Sequence, residues 1–89
     1  MNVTYRQAFL RDLKRIKNHD IYQKIFELAF VTLPRVESLK EISGIKALQG
    51  QTKRFRIRIG DYRIGIESAG DSVELMRVLH RRKFYRYFP

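Results

Sequence analysis

Between residues 54 and 68 the chain reads RFRIRIGDYRIGIES, and over residues 54–59 basic and apolar side chains alternate without a break. A period of two belongs to a strand with one face buried and the other in water, and a helix cannot use it. Phe55, Ile57 and Ile59 share one face, while Arg54, Arg56 and Arg58 share the other. Gly60-Asp61 supplies a turn, after which Tyr62, Ile64 and Ile66 extend the apolar face on a second strand. The result is a hairpin with one greasy and one cationic side, which has to find a covering layer for the first.

The preceding residues provide that layer. Residues 1–5 are expected to form one short strand. Thr4 and Gln7 have the spacing of a capping box, and Phe9, Leu13 and Ile16 then recur at helical intervals, which predicts an amphipathic helix over 6–17. Asp12, Arg15, Lys17 and Lys24 fall among the polar positions and read as helix surface. Asn18 or Asp20 is expected to cap a second helix with Ile21, Ile25, Leu28 and Ala29 as its apolar stripe, widened by Tyr22 and Phe26. Pro34 is expected to end it. Residues 34–52 read as a connection with one helical turn. Ala69–Ser72 turns the chain again, and VELMRVLH at 73–80 is apolar on both faces apart from Glu74 and Arg77, as in a central strand covered on both sides. The expectation is an α+β fold: a short N-terminal strand, an antiparallel helix hairpin, then a three-stranded antiparallel meander forming one sheet packed on the helices.

At 89 residues the chain is expected to form a single domain, 1–89, which buries about 60–65% of its unfolded surface. Cysteine is absent, which removes disulfides and thiolate ligands, and neither histidine has a second ligand at metal-binding spacing, so no metal and no cofactor are expected. The first twenty residues carry charge every few positions, unlike a signal peptide or a membrane span, and the cytoplasm is the expected location. Nineteen Lys and Arg against nine Asp and Glu give a net charge of +10, which predicts a polyanionic partner.

That charge is concentrated. Lys53, Arg54, Arg56, Arg58 and Arg63 lie in the hairpin, and Arg77, Arg81, Arg82, Lys83 and Arg86 lie in or beyond the last strand, so ten of the nineteen basic residues fall in two short stretches. Guanidinium groups bind phosphate in a forked geometry, and Tyr62, Tyr85, Tyr87 or Phe88 can stack unpaired bases. Alternation alone would put something polar on the outer strand face. What favours an RNA surface is the coincidence of arginines from two strands, a histidine and a tyrosine.

Leu48-Gln49-Gly50, the basic strand 55–59, the segment 60–66 and Val78–Tyr85 together resemble the RelE/ParE toxin superfamily of bacterial type II toxin–antitoxin systems, in that order along the chain. The resemblance covers nearly the whole chain. It implies a RelE-like fold and, for the RelE branch, a metal-independent endonuclease that cuts messenger RNA in the ribosomal A site. Carried over by position, Arg56, Arg58, Arg63, Arg81 and Tyr85 fall on the family's site; with His80 added the expected catalytic set is His80, Arg81, Arg63, Tyr85 and Arg56, and the concentrated charge and aromatics give an expected RNA-binding set of Arg54, Arg58, Lys53, Arg82, Lys83 and Tyr87. The best-known RelE pattern has lysines where Arg56 and Arg58 stand, and a longer spacing from the final arginine to the tyrosine. A guanidinium does not serve readily as a base, so His80, whose imidazole can take up and give back a proton, takes that role, and Tyr87 rivals Tyr85 for the tyrosine's. The resemblance further implies a cognate antitoxin as partner, with neither membrane nor small-molecule cofactor. Two other readings share these features: a ParE-like DNA gyrase inhibitor without nuclease activity, and a non-enzymatic RNA-binding module.

Overall fold

The computed structural model describes residues 1–89. Five strands, β1 (Asn2–Tyr5), β2 (Ile45–Ala47), β3 (Arg54–Ile59), β4 (Tyr62–Ala69) and β5 (Ser72–His80), form one sheet in the order β1-β5-β4-β3-β2. β1 runs parallel to β5 and every other pair is antiparallel. The meander β3-β4-β5 is the one legible in the alternation, with Ile57 opposite Ile64 and Ile59 opposite Tyr62. β2 was not expected. Its three residues carry no periodicity, and they become a strand only because the wet edge of β3 accepts them, Ile45 against Ile57.

Helix α1 (Gln7–Arg15) follows β1 directly and buries Phe9 and Leu13 on the sheet. The expected capping box is not formed: Thr4 stays in β1, and Arg6 occupies the cap position without a side-chain bond. Nor does Asn18 or Asp20 cap the second helix, whose first-turn neighbour is Ile21. That helix ends at Arg35, one residue past the expected stop at Pro34. α2 (Tyr22–Glu27) passes into a π turn (Leu28–Thr32) and then α3 (Leu33–Arg35). Pro34 lacks a backbone N–H and its ring crowds the preceding turn. A widened turn, closed by Leu33 N–H onto the Leu28 carbonyl, precedes that defect, and the helix stops at Arg35 with Val36 extended. Beyond it, Ser38 and Glu41 form the capping box of a 3-10 turn (Leu39–Glu41).

Phe9, Leu13, Ile25, Ala29, Leu33, Ile57, Ile64, Ile66, Val73, Leu75 and Val78 join the helices to one face of the sheet. Tyr5 bridges the layers: it stacks on Phe30, and its hydroxyl donates to the Ala29 carbonyl at 2.7 Å. Burial pushes that phenol's pKa up.

The other face is covered as well, by an element the sequence reading did not anticipate. Residues 81–87, expected to trail from the last strand, form helix α4 (Arg81–Tyr87). Phe84 and Phe88, one turn apart on it, pack with Leu48 and Met76 into a second small core, and Leu79 joins them. β5 is therefore covered on both sides, as its composition predicted. A register irregularity opposite Gly65 and Ile66 leaves Met76 without a partner of its own. Gly65 is required here, since a Cβ on it would sit 2.7 Å from the Phe88 ring. No helix is long and apolar enough to cross a membrane.

Candidate nucleic-acid interface

Pleating decides which basic side chains meet. Ile57 and Ile64 point into the main core, so their neighbours Arg56, Arg58 and Arg63 emerge on the opposite face, with Arg58 and Arg63 directly across from each other. Four close basic groups do not come together without cost. Burial and the charges of Arg56, Arg58 and Arg81 lower the Arg63 pKa below the ordinary guanidinium value, against an opposing contribution from Tyr85. That mutual influence marks out one site: Arg56, Arg58, Arg63, Arg81 and Tyr85 gather where the β3–β4 turn meets the start of α4.

Backbone carbonyls orient two of these side chains. Arg56 Nη1 donates to the Gly44 carbonyl at 2.7 Å, and Arg63 Nη1 donates to those of Gly60 at 3.0 Å and Tyr62 at 2.9 Å. Carbonyls hold a guanidinium in place without cancelling its charge. The one nearby carboxylate is Asp61, 3.7 Å from Arg81 and well exposed. Arg81 is anchored through its main chain, whose N–H reaches the Asp61 carbonyl at 2.8 Å.

α4 distributes its residues by i, i+4 stripes. Phe84 and Phe88 form the buried stripe, and Arg81 and Tyr85 form the stripe that belongs to the arginine site, with Tyr85 63% exposed. Arg82 and Arg86 form another, and Lys83 and Tyr87 the last. The i, i+4 spacing of Phe84 and Phe88 was the signal in the sequence from which this helix was readable.

Several expected site residues lie elsewhere. His80 is paired with Tyr62 across β4 and β5, and Tyr62 packs on the main core, so the imidazole stands on the helix side of the sheet, away from the arginines. Its Nδ1 accepts the Arg82 N–H at 3.2 Å and caps α4. The alternation does not bring the expected base, His80, in among the arginines: His80 and Arg81 are consecutive and reach opposite sides. Arg54 is held by Glu67 at 3.2 Å and lies over the Phe88 ring, at the far end of β3. Lys53 precedes it there, exposed. Lys83 and Tyr87 line a recess with His80, beside α1.

Asp12, read as helix surface, is 4% exposed. It accepts Arg77 Nε at 2.7 Å, Arg77 Nη2 at 3.0 Å and the Val78 N–H at 3.1 Å. Hydrogen bonding to Asp12 raises the Arg77 pKa, with burial opposing. The pair fastens α1 to β5 and takes Arg77 out of the free positive charge. A lone aspartate among basic residues on an amphipathic helix gives no sign of this, because its partner lies 65 residues away.

Fold and site together define a small α+β protein with uncompensated positive charge gathered at one end of its sheet. Residues 3–85 match the family described as the ParE toxin of the type II toxin-antitoxin system, parDE. Toxin RelE3 of Methanocaldococcus jannaschii is 39% identical over 90 residues, covering 100% of both chains. Among solved structures, the RelB–RelE antitoxin–toxin complex of Methanococcus jannaschii contains a chain 37% identical with a TM-score of 0.78, covering 97% of this chain and 99% of that one. The toxin–antitoxin complex RelBE2 of Mycobacterium tuberculosis gives 29% identity and a TM-score of 0.70, covering 90% and 96%. YafQ in the DinJ–YafQ complex of E. coli shares the fold at 15% identity and a TM-score of 0.74, covering 94% and 97%. The chain belongs to the RelE/ParE superfamily of type II toxin–antitoxin toxins.

Proposed function

We propose that this toxin is a metal-independent endoribonuclease that cuts messenger RNA in the ribosomal A site. The observation that supports it is the convergence of Arg56, Arg58, Arg63 and Arg81 with the phenol of Tyr85, two of the arginines, Arg56 and Arg63, being oriented by carbonyls that leave their charge uncancelled. In the reaction the ribose 2′-oxygen attacks the adjacent phosphorus and the bond from phosphorus to the 5′-oxygen breaks. The 2′ proton passes to a base and the 5′-oxygen gains a proton, which yields a cyclic phosphate and a 5′-hydroxyl. Arg63 and Arg81 would neutralise charge building on the phosphate, and Arg56 and Arg58 would hold it and its neighbour. Tyr85, on the same stripe of α4 as Arg81, is the proton-transfer group in this reading, in place of His80. The ribosome would supply the bent substrate geometry that in-line attack needs.

A cognate antitoxin fits the rest of the surface. Leu10 and Phe26 are 43% and 38% exposed on the helices, and the net charge is +10, so a partner with apolar and acidic side chains is expected there. The matches to RelB–RelE and RelBE2 complexes support the same reading.

Primer extension on a defined message in translating extract tests the proposal: discrete, ribosome-dependent cuts support it. The ParE description of the matching family favours one second reading, inhibition of DNA gyrase without nuclease activity. Intact message with arrested supercoiling would select that reading.

A further inference from the structure

The recess on the other side of α4 is a candidate site in its own right. It has a volume of about 390 Å³ and lies between α1, the end of β5 and α4. Its floor is the Asp12–Arg77 pair, in which both carboxylate oxygens are already engaged, so the recess contains no free negative charge. Three donors line it. Arg15 and Lys83 are exposed and join no ion pair. His80 contributes the third: since Nδ1 accepts the Arg82 N–H, the neutral ring carries its proton on Nε2, which is left to donate. Tyr62 stands edge-on to His80 at 5.4 Å, and Tyr87, one turn beyond Lys83, closes the other wall.

We propose that this recess is a second phosphodiester subsite for single-stranded RNA, in which Arg15, Lys83 and His80 Nε2–H hold a backbone phosphate and Tyr62 or Tyr87 carries the adjoining base. The inference rests on the RNA reading above and extends it. His80 and Arg81 are neighbours in sequence and reach opposite sides of the strand end. A single strand crossing that end therefore meets the arginine site first and the recess next. Phosphate suits the donor set because a guanidinium, an ammonium and an imidazole N–H lining one recess offer donors with no acceptor among them. Arg77 lies over one face of Tyr87, 5.7 Å from its centroid, and a base would stack on the other face or on Tyr62.

The test is equilibrium binding of the free protein to a single-stranded RNA dodecamer and to a trinucleotide, over a range of salt. Neutralising Z phosphates of a single strand gives a log–log slope of about −0.7Z. The double variant Arg15→Ala/Lys83→Ala, at two exposed positions, is expected to release that one phosphate, flattening the dodecamer slope by about 0.7, and to leave the trinucleotide unaffected. The His80 Nε2 proton resonance is expected to shift with dodecamer and not with trinucleotide. An unchanged dodecamer slope in the double variant, with Arg56→Ala still weakening binding, overturns the subsite and leaves the RNA reading intact. Salt-independent binding, or none, by the unmodified protein overturns both. A double variant that loses the antitoxin while binding dodecamer normally would make the recess a protein contact and also overturn the subsite.

Discussion

Replacing Asp12 by alanine should remove a large part of this protein's stability, although nothing in its sequence neighbourhood marks it out. A chain of this length has about 4–13 kcal/mol of stability in total. Asp12→Ala deprives the buried Val78 N–H of its acceptor, which costs about 1–3 kcal/mol, and breaks two charge-assisted bonds to Arg77. Breaking a buried ion pair by deleting one member costs about 3–5 kcal/mol, but the Arg77 side chain is 26% exposed and regains water, so the lower end applies. The expected loss is about 3 kcal/mol. Asp12→Asn keeps an oxygen for Val78 and loses only the charge, with an expected cost of about half that. Urea denaturation of these two variants, Arg77→Ala and the double variant Asp12→Ala/Arg77→Ala measures both the losses and the coupling. The pair should couple by about 2 kcal/mol with little change in the denaturant slope. Additivity of Asp12→Ala and Arg77→Ala within about 0.5 kcal/mol would refute the pairing, and equal losses for the asparagine and alanine variants would refute the role given to the Val78 N–H.

Tyr85→Phe preserves the ring and should lower the rate of ribosome-dependent cleavage by about 10²–10⁴ while leaving binding to single-stranded RNA within about twofold, as read by primer extension and titration; full activity would remove the phenol from the chemistry. Tyr5 has a raised pKa, so the folded protein holds the phenol proton more tightly than the unfolded chain. Its contribution is complete below the unfolded value of about 10 and is lost as pH rises through the raised folded value. Tyr5→Phe should therefore remove part of the alkaline loss of stability and cost about 1 kcal/mol at neutral pH, through the lost bond to Ala29; unfolding curves against pH check both. Gly65→Ala would drive a methyl against the Phe88 ring and should cost about 1–3 kcal/mol, and Gly65→Ala/Phe88→Leu should recover part of it; no loss in the single variant would mean that α4 gives way freely.

Alternation was enough to determine the cationic hairpin, because each side chain's face follows from its parity once one face is buried. Phe55–Ile59 and Tyr62–Ile66 could be assigned with no knowledge of what covers them. The double-sided composition of 73–80 likewise announced a central strand. The same parity placed Arg56, Arg58 and Arg63 together. Composition determined the surplus of positive charge. Other features depended on partners distant in sequence, and only the tertiary structure decided them. β2 exists through its pairing with β3, and Asp12 is buried because Arg77 and the Val78 N–H meet it from the far end of the chain. Pro34 ends its helix to within one residue, as its chemistry requires, but the wide turn before it, closed by Leu33 N–H onto the Leu28 carbonyl, was decided by the packing. The separation of His80 from Arg81 follows from the chain's change from strand to helix at that point. Two adjacent residues that read as one catalytic pair emerge on opposite sides of the sheet, because a strand hands successive side chains to opposite faces and α4 then carries Arg81 round to the arginines.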